Sequence, residues 1–159
     1  MGLDQDLFIT RHFVWAYDHP HPTTVDGFEL HSHKMTVVEW RKNHWVHQWF
    51  CANVSKAANE CQEIHVEPEE LAKLADKLEA WADDPEALPP VSDEVRGSFF
   101  GVRVTDPEYE ECRDLYRAKA KDQAKEIRKA IEWLKVDCGF NNCRQMEWES
   151  RYASYRASW

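Results

Sequence analysis

Hydrophobic positions crowd most densely at 37–54, where Trp40, Trp45 and Trp49 occur with no proline or glycine between them. On a helical wheel, Trp40, Trp45, Val46, Trp49, Phe50 and Val54 sweep well over half the circumference. Only Arg41, His44 and Gln48 share a clearly polar arc. Such a stretch predicts a central helix packed on most sides. Upstream, 6–17 alternates in the manner of a strand, with Leu7, Ile9, Phe13, Trp15 and Tyr17 apolar and Thr10 and His12 between them. His19-Pro20-His21-Pro22, Thr23-Thr24 and Asp26-Gly27 predict a loop, and 28–33 a second short strand.

Downstream, 59–66 is a connector with a short extended piece. Glu67-Pro68-Glu69-Glu70 then opens a helix, with proline in the first turn and acids at the positive end of the helix dipole. Leu71, Leu74, Leu78 and Trp81 form one apolar stripe, and Asp83-Asp84-Pro85 stops the helix. The stretch 87–98, with Pro89-Pro90 and Gly97, is irregular and a candidate rim for a site. Phe99-Phe100-Gly101, Val102 and Val104 make a short apolar segment. A long helix is expected from 107 to about 136, with Tyr109, Cys112, Tyr116, Ile127, Ile131 and Leu134 near one stripe. Its middle, 118–125, is polar enough to predict exposure to solvent or contact with another subunit. The tail from Met146 to Tyr152 alternates as a strand, and a terminus carrying Tyr155 and Trp159 is expected to be tied down. The predicted class is α+β. One globular domain, 1–159, packs a small β-sheet with about three helices, the Trp-rich one central.

Composition narrows the function. The chain has 159 residues, 43% hydrophobic and 31% charged, so it carries enough apolar surface for a core. A net charge of −9 excludes general affinity for DNA or RNA polymers through a basic field, so an anionic ligand would need a local cationic pocket. No apolar run approaches membrane-spanning length, and the start lacks the pattern of a signal peptide. Five scattered cysteines without a Cys-x-x-Cys pair suit reduced cytosolic thiols rather than a zinc site.

Three polar residues of the Trp-rich stretch, Lys42, Asn43 and His47, project into its apolar arc. Burying such groups unpaired costs roughly 1–3 kcal/mol each, and more for a charge. They therefore either complete an internal hydrogen-bond network or line a pocket for a polar ligand. The network is favoured for Asn43 and His47, the pocket for Lys42.

His19-x-His21 and His31-x-His33 have usable metal-ligand spacing, with His12 or Asp26 as a third ligand. Solvated loop histidines are the preferred reading, and no metal or cofactor is expected. His44 and His47 lie on different arcs, which makes His47 a hydrogen-bonding pocket residue or a general base rather than half of a chelate. No phosphate loop, nucleophile elbow or dinucleotide-binding glycine pattern occurs, so any phosphate must be held by side chains. Trp40-Arg41-Lys42-Asn43 sets an aromatic, two cations and an amide together, and Arg151-Tyr152, Tyr155-Arg156 and Trp159 repeat the combination at the tail. Cations hold phosphates and aromatics stack on bases. Core aromatics with surface arginines explain the same composition equally well.

Gly2-Leu3-Asp4, Trp40-Arg41-Lys42-Asn43 with His47-x-Trp49-Phe50, Ser98-Phe99-Phe100-Gly101 with Asp106-x-x-Tyr109, and Tyr155-x-x-Ser158-Trp159 occur in that order. Together they resemble a widespread family of small bacteriophage proteins that begin Gly-Leu-Asp and end Ser-Trp. The likeness spans the whole chain, and it departs at Gln5-Asp6 and in the charged middle of the long helix. It further resembles the phage anti-CBASS sponges. That resemblance implies a homo-oligomer, a tetramer as in that family, that sequesters a cyclic dinucleotide such as cyclic GMP-AMP in the host cytoplasm without cleaving it. On that likeness Trp40 or Phe100 stacks on a base, and Arg41 and Lys42 hold phosphates. Asn43 and His47 orient the pocket, and Tyr155 and Trp159 close it. Two alternatives stand beside it: a metal-dependent nucleotide hydrolase or transferase using His47, Asp4 or Asp106, and an acidic inhibitor of a host protein.

Overall fold

The computed structural model describes residues 3–15, 24–25, 28–29, 32–88, 91, 107–135 and 146–158. Its frame is a four-stranded antiparallel sheet made by β1 (Asp4–Trp15), β4 (Ser32–Arg41), β5 (Ile64–Val66) and β6 (Met146–Ser158), in the order β4-β1-β6-β5. A small hairpin of β2 (Thr24–Val25) and β3 (Phe28–Glu29) pairs separately. The helices are α1 (His44–Asn53), α2 (Pro68–Asp83) and α3 (Pro107–Leu134), with 3-10 turns at Lys56–Glu60 and Pro85–Ala87. The α+β class, as one small domain, is what the apolar periodicities predict.

The Trp-rich stretch is corrected. Its first part is not helix but the end of β4, and α1 begins only at His44. Thr36, Val37 and Val38 are β-branched and stiff at χ1, which suits a pleated strand. Val38 and Trp40 are buried while Glu39 and Arg41 are exposed, the period-two pattern of a half-covered sheet. Asn43 supplies the helix start, its side-chain oxygen accepting the Val46 N–H at 3.2 Å. Between strand and helix, Lys42 takes φ +57°, and its N–H donates to the Leu3 carbonyl at 2.6 Å.

One face of the sheet is buried. Leu7 and Ile9 of β1, Val38 and Trp40 of β4, and Ala153, Tyr155 and Ala157 of β6 join the helices in a single core. From α1 come Trp45, Val46, Trp49 and Phe50, and from α2 the predicted stripe Leu71, Leu74, Leu78 and Trp81. Phe50 stacks on Tyr155 with centroids 3.7 Å apart, and Trp45 lies 5.8 Å from Trp81.

α2 and α3 run antiparallel, tied by Lys121 to Asp83, Arg128 to Asp76 and Glu79, and Arg117 to the end of α2. The middle of α3 is solvated on one face, where Lys119, Lys121, Asp122 and Lys125 are exposed, and packed on the other. Ala120 and Ala124 are fully buried, and their small side chains continue the apolar stripe through the charged sequence. Among the described residues no helix is long and apolar enough to cross a membrane.

Candidate functional site

Two regions draw in the predicted site residues, and they differ in kind. The first is a buried polar network at the start of α1. Gln5, on the inward parity of β1 between Leu3 and Leu7, accepts the Asn43 N–H at 3.0 Å and donates to the Asn43 carbonyl at 3.2 Å. The same Gln5 amide donates to the Tyr155 hydroxyl at 2.9 Å. That hydroxyl lies 2.8 Å from His47 Nδ1, and His47 Nε2 lies 3.2 Å from Asn59 Oδ1.

Donor order fixes the tautomer. Asn59 Oδ1 can only accept, so Nε2 carries the proton and donates to it, and Nδ1 of the neutral ring accepts the Tyr155 O–H. Burial drives the His47 pKa below its ordinary value, with the Asn59 bond working the other way. Burial likewise pushes the Tyr155 phenol far above its usual range, with the Gln5 bond opposing. Asn43, His47 and Tyr155 are all 0% exposed. They hold the first turn of α1 onto the sheet, and His47 in this setting does not face solvent as a general base.

The second region is a cleft of about 410 Å³ between the end of the sheet and α3. Trp40 and Arg41 of the predicted set line it, opposite Tyr116, Lys119 and Gln123 of α3. Trp40 Nε1 donates to Gln123 Oε1 at 3.0 Å across the join. Leu115, 54% exposed, stands at the rim. Asp4, Asp6 and Glu39 bring three carboxylates to the same space. Burial, with Glu39 next in effect, raises the Asp6 pKa above the usual carboxylate value. Arg41 approaches Asp4 only to 3.6 Å, with both side chains largely exposed, so this pair is weak and its guanidinium can turn to other partners.

The structure thus separates what the sequence grouped together. Trp40 and Arg41 reach the cleft, Asn43, His47 and Tyr155 are interior, and Lys42 occupies the turn between β4 and α1 at intermediate exposure. Phe100 and Trp159 lie outside the described residues, as do His19, His21, His31 and all of the expected rim at 87–98 except Ala87, Leu88 and Val91. Among the described residues no three His, Cys, Asp and Glu side chains are grouped to hold a metal ion.

Sequence reasoning missed Gln5, Asn59, Tyr116, Lys119 and Gln123. Two of them carried a legible signal: Gln5 breaks the inward parity of Leu3, Leu7 and Ile9, and Gln123 falls two helical turns after Tyr116 on the buried stripe. Compared with known protein families, with characterised proteins and with solved structures, the chain shows no significant match.

Proposed function

We propose that this protein works by binding rather than by chemistry: it sequesters a cyclic dinucleotide defence signal, such as cyclic GMP-AMP, as a phage homo-oligomer in the host cytoplasm. The resemblance of its motifs supplies the ligand class. The observation that carries the site is the cleft where Trp40 and Arg41 meet Tyr116, Lys119 and Gln123, a size and mixture of groups suited to a small polar ligand. In it Arg41 and Lys119 face the phosphates, Tyr116 and the Leu115 side chain offer flat and apolar surface to a base, and Gln123 offers an amide to its edge. The weak Arg41–Asp4 pair frees the guanidinium for a phosphate.

Calorimetric titration with cyclic GMP-AMP tests this. Arg41→Ala and Lys119→Ala each weaken binding by at least about tenfold, as loss of a charge-assisted contact of ~1.5–3 kcal/mol requires. Heat denaturation then returns the nucleotide intact. Absence of binding by the wild type sinks the proposal, and fragments in place of intact ligand favour a hydrolase.

Asp4, Asp6 and Glu39 support a second reading. They outnumber the two cations of the cleft, which suits a positively charged partner. Charge-reversing variants separate the two. Glu39→Lys strengthens an anionic ligand and weakens a cationic one.

A further inference from the structure

Trp40 fixes which end of the Gln123 amide the cleft meets. Its indole N–H can only donate, and Trp40 is 3% exposed, so the amide must turn its oxygen to the indole, as it does at 3.0 Å. Turned over, the amide would set N–H against N–H and leave a buried donor without an acceptor. The NH2 end of Gln123 is therefore the end left for a ligand, and among the described residues it has no acceptor. A free glutamine reads a base with either end of its amide. Gln123 reads it as a donor.

The acceptors of the cleft come from the sheet. Asp4 and Arg41 both act electrostatically on the Tyr116 phenol, which places them beside the ring that offers flat surface to a base. Arg41 approaches Asp4 only to 3.6 Å, so a guanidinium turned to a phosphate releases this carboxylate to accept from the ligand. A base against Tyr116 thus has a carboxylate supplied from β1 and an amide donor supplied from α3.

Of the two bases in cyclic GMP-AMP, guanine matches that polarity along one edge. Its O6 accepts, and N1–H and N2–H donate side by side, the arrangement that a carboxylate takes with both oxygens. Adenine carries the reverse order, an N6 amine next to an accepting N1. In the guanine pose it sets amine against amine and ring nitrogen against carboxylate. Turned over, it recovers two bonds in place of three.

We infer that the cleft selects guanine over adenine, with Gln123 Nε2 donating to O6 and the Asp4 carboxylate accepting from N1–H and N2–H. This rests on the nucleotide-binding reading and narrows it to guanine-containing ligands. It also gives Asp4 a part in an anion site, where its charge alone would oppose binding.

The probes are cyclic di-GMP and cyclic di-AMP, which share a backbone and differ in the base, titrated calorimetrically beside cyclic GMP-AMP. The wild type binds cyclic di-GMP at least about tenfold tighter than cyclic di-AMP, as expected for a base read by paired hydrogen bonds. Gln123→Glu keeps an oxygen for the Trp40 N–H but offers an acceptor where the donor was. Its added charge repels both ligands alike, so the ratio of the two affinities is the readout, and it reverses toward adenine. Trp40→Phe frees the amide to rotate and brings the ratio close to one. Cyclic di-IMP, which keeps O6 and N1–H but lacks the 2-amino group, needs no variant to fold: it binds the wild type more weakly than cyclic di-GMP and more tightly than cyclic di-AMP. Equal wild-type affinity for cyclic di-GMP and cyclic di-AMP, a Gln123→Glu ratio unchanged from wild type, or a cyclic di-IMP no tighter than cyclic di-AMP overturns the inference and leaves sequestration standing. Failure of the wild type to bind any of the four ligands overturns sequestration, and base selection with it.

Discussion

The Tyr155 hydroxyl stands 2.8 Å from Nδ1 of His47, although 108 positions separate them in the chain. Through this bond the last strand, β6, grips α1, and Gln5 of β1 completes the grip from the other side of the hydroxyl.

Tyr155→Phe tests how much that grip contributes. The ring keeps its stack on Phe50, while His47 Nδ1 and one Gln5 N–H lose their partner in a dry interior. The expected loss is about 1–3 kcal/mol, lowering the midpoint of thermal unfolding by roughly 2–4 °C for each kcal/mol. A melt unchanged within error would mean that water reaches the network.

His47 predicts acid sensitivity. Its folded pKa lies below the ordinary 6.5, so between the folded value and 6.5 the unfolded chain binds more protons than the native one. Stability from this group is complete above 6.5 and is lost as pH falls through the folded pKa. Asp6 acts with the opposite sign in a lower window: its raised pKa contributes stability that disappears as pH rises through the folded value. Urea unfolding from pH 4 to 8 should show the His47 slope in the wild type and its absence in His47→Gln.

Lys42 is held in the left-handed region at φ +57°, a conformation costing a non-glycine residue roughly 1–2 kcal/mol. Lys42→Gly should therefore raise stability, by about 0.5–1 kcal/mol once the greater freedom of glycine in the unfolded chain is set against the relief. If Lys42 holds a phosphate as the family likeness implies, the same variant is more stable yet binds cyclic GMP-AMP more weakly. Denaturation and titration of one protein sample separate these effects.

Arg117 caps the far end of α2, donating to the carbonyls of Trp81 at 2.9 Å and Ala82 at 3.3 Å. These are last-turn carbonyls with no partner inside the helix, and a cation there also opposes the dipole. Arg117→Ala is expected to cost about 1.5–3 kcal/mol by chemical denaturation. Arg117→Lys recovers only part of it, because an ammonium lacks the planar fork that reaches both oxygens.

Much of this architecture is written in local pattern. The stripe Leu71, Leu74, Leu78 and Trp81 and the acids of its first turn determine α2 without reference to anything else. The alternation of β1 and of the tail likewise determines strands, since period two leaves a single way to bury one face. What only the tertiary structure decided begins at 37–43. Val38 and Trp40 satisfy a helical and a strand period alike, and the choice fell to strand because β1 offers a hydrogen-bonded neighbour that no local pattern encodes. That choice turned Lys42 into a hinge and made Asn43 the cap of α1. It also set Trp40 against Gln123, 83 positions away, and so made the cleft. Periodicity reports which side of an element is apolar. Which polar groups meet there depends on strands and helices distant in sequence.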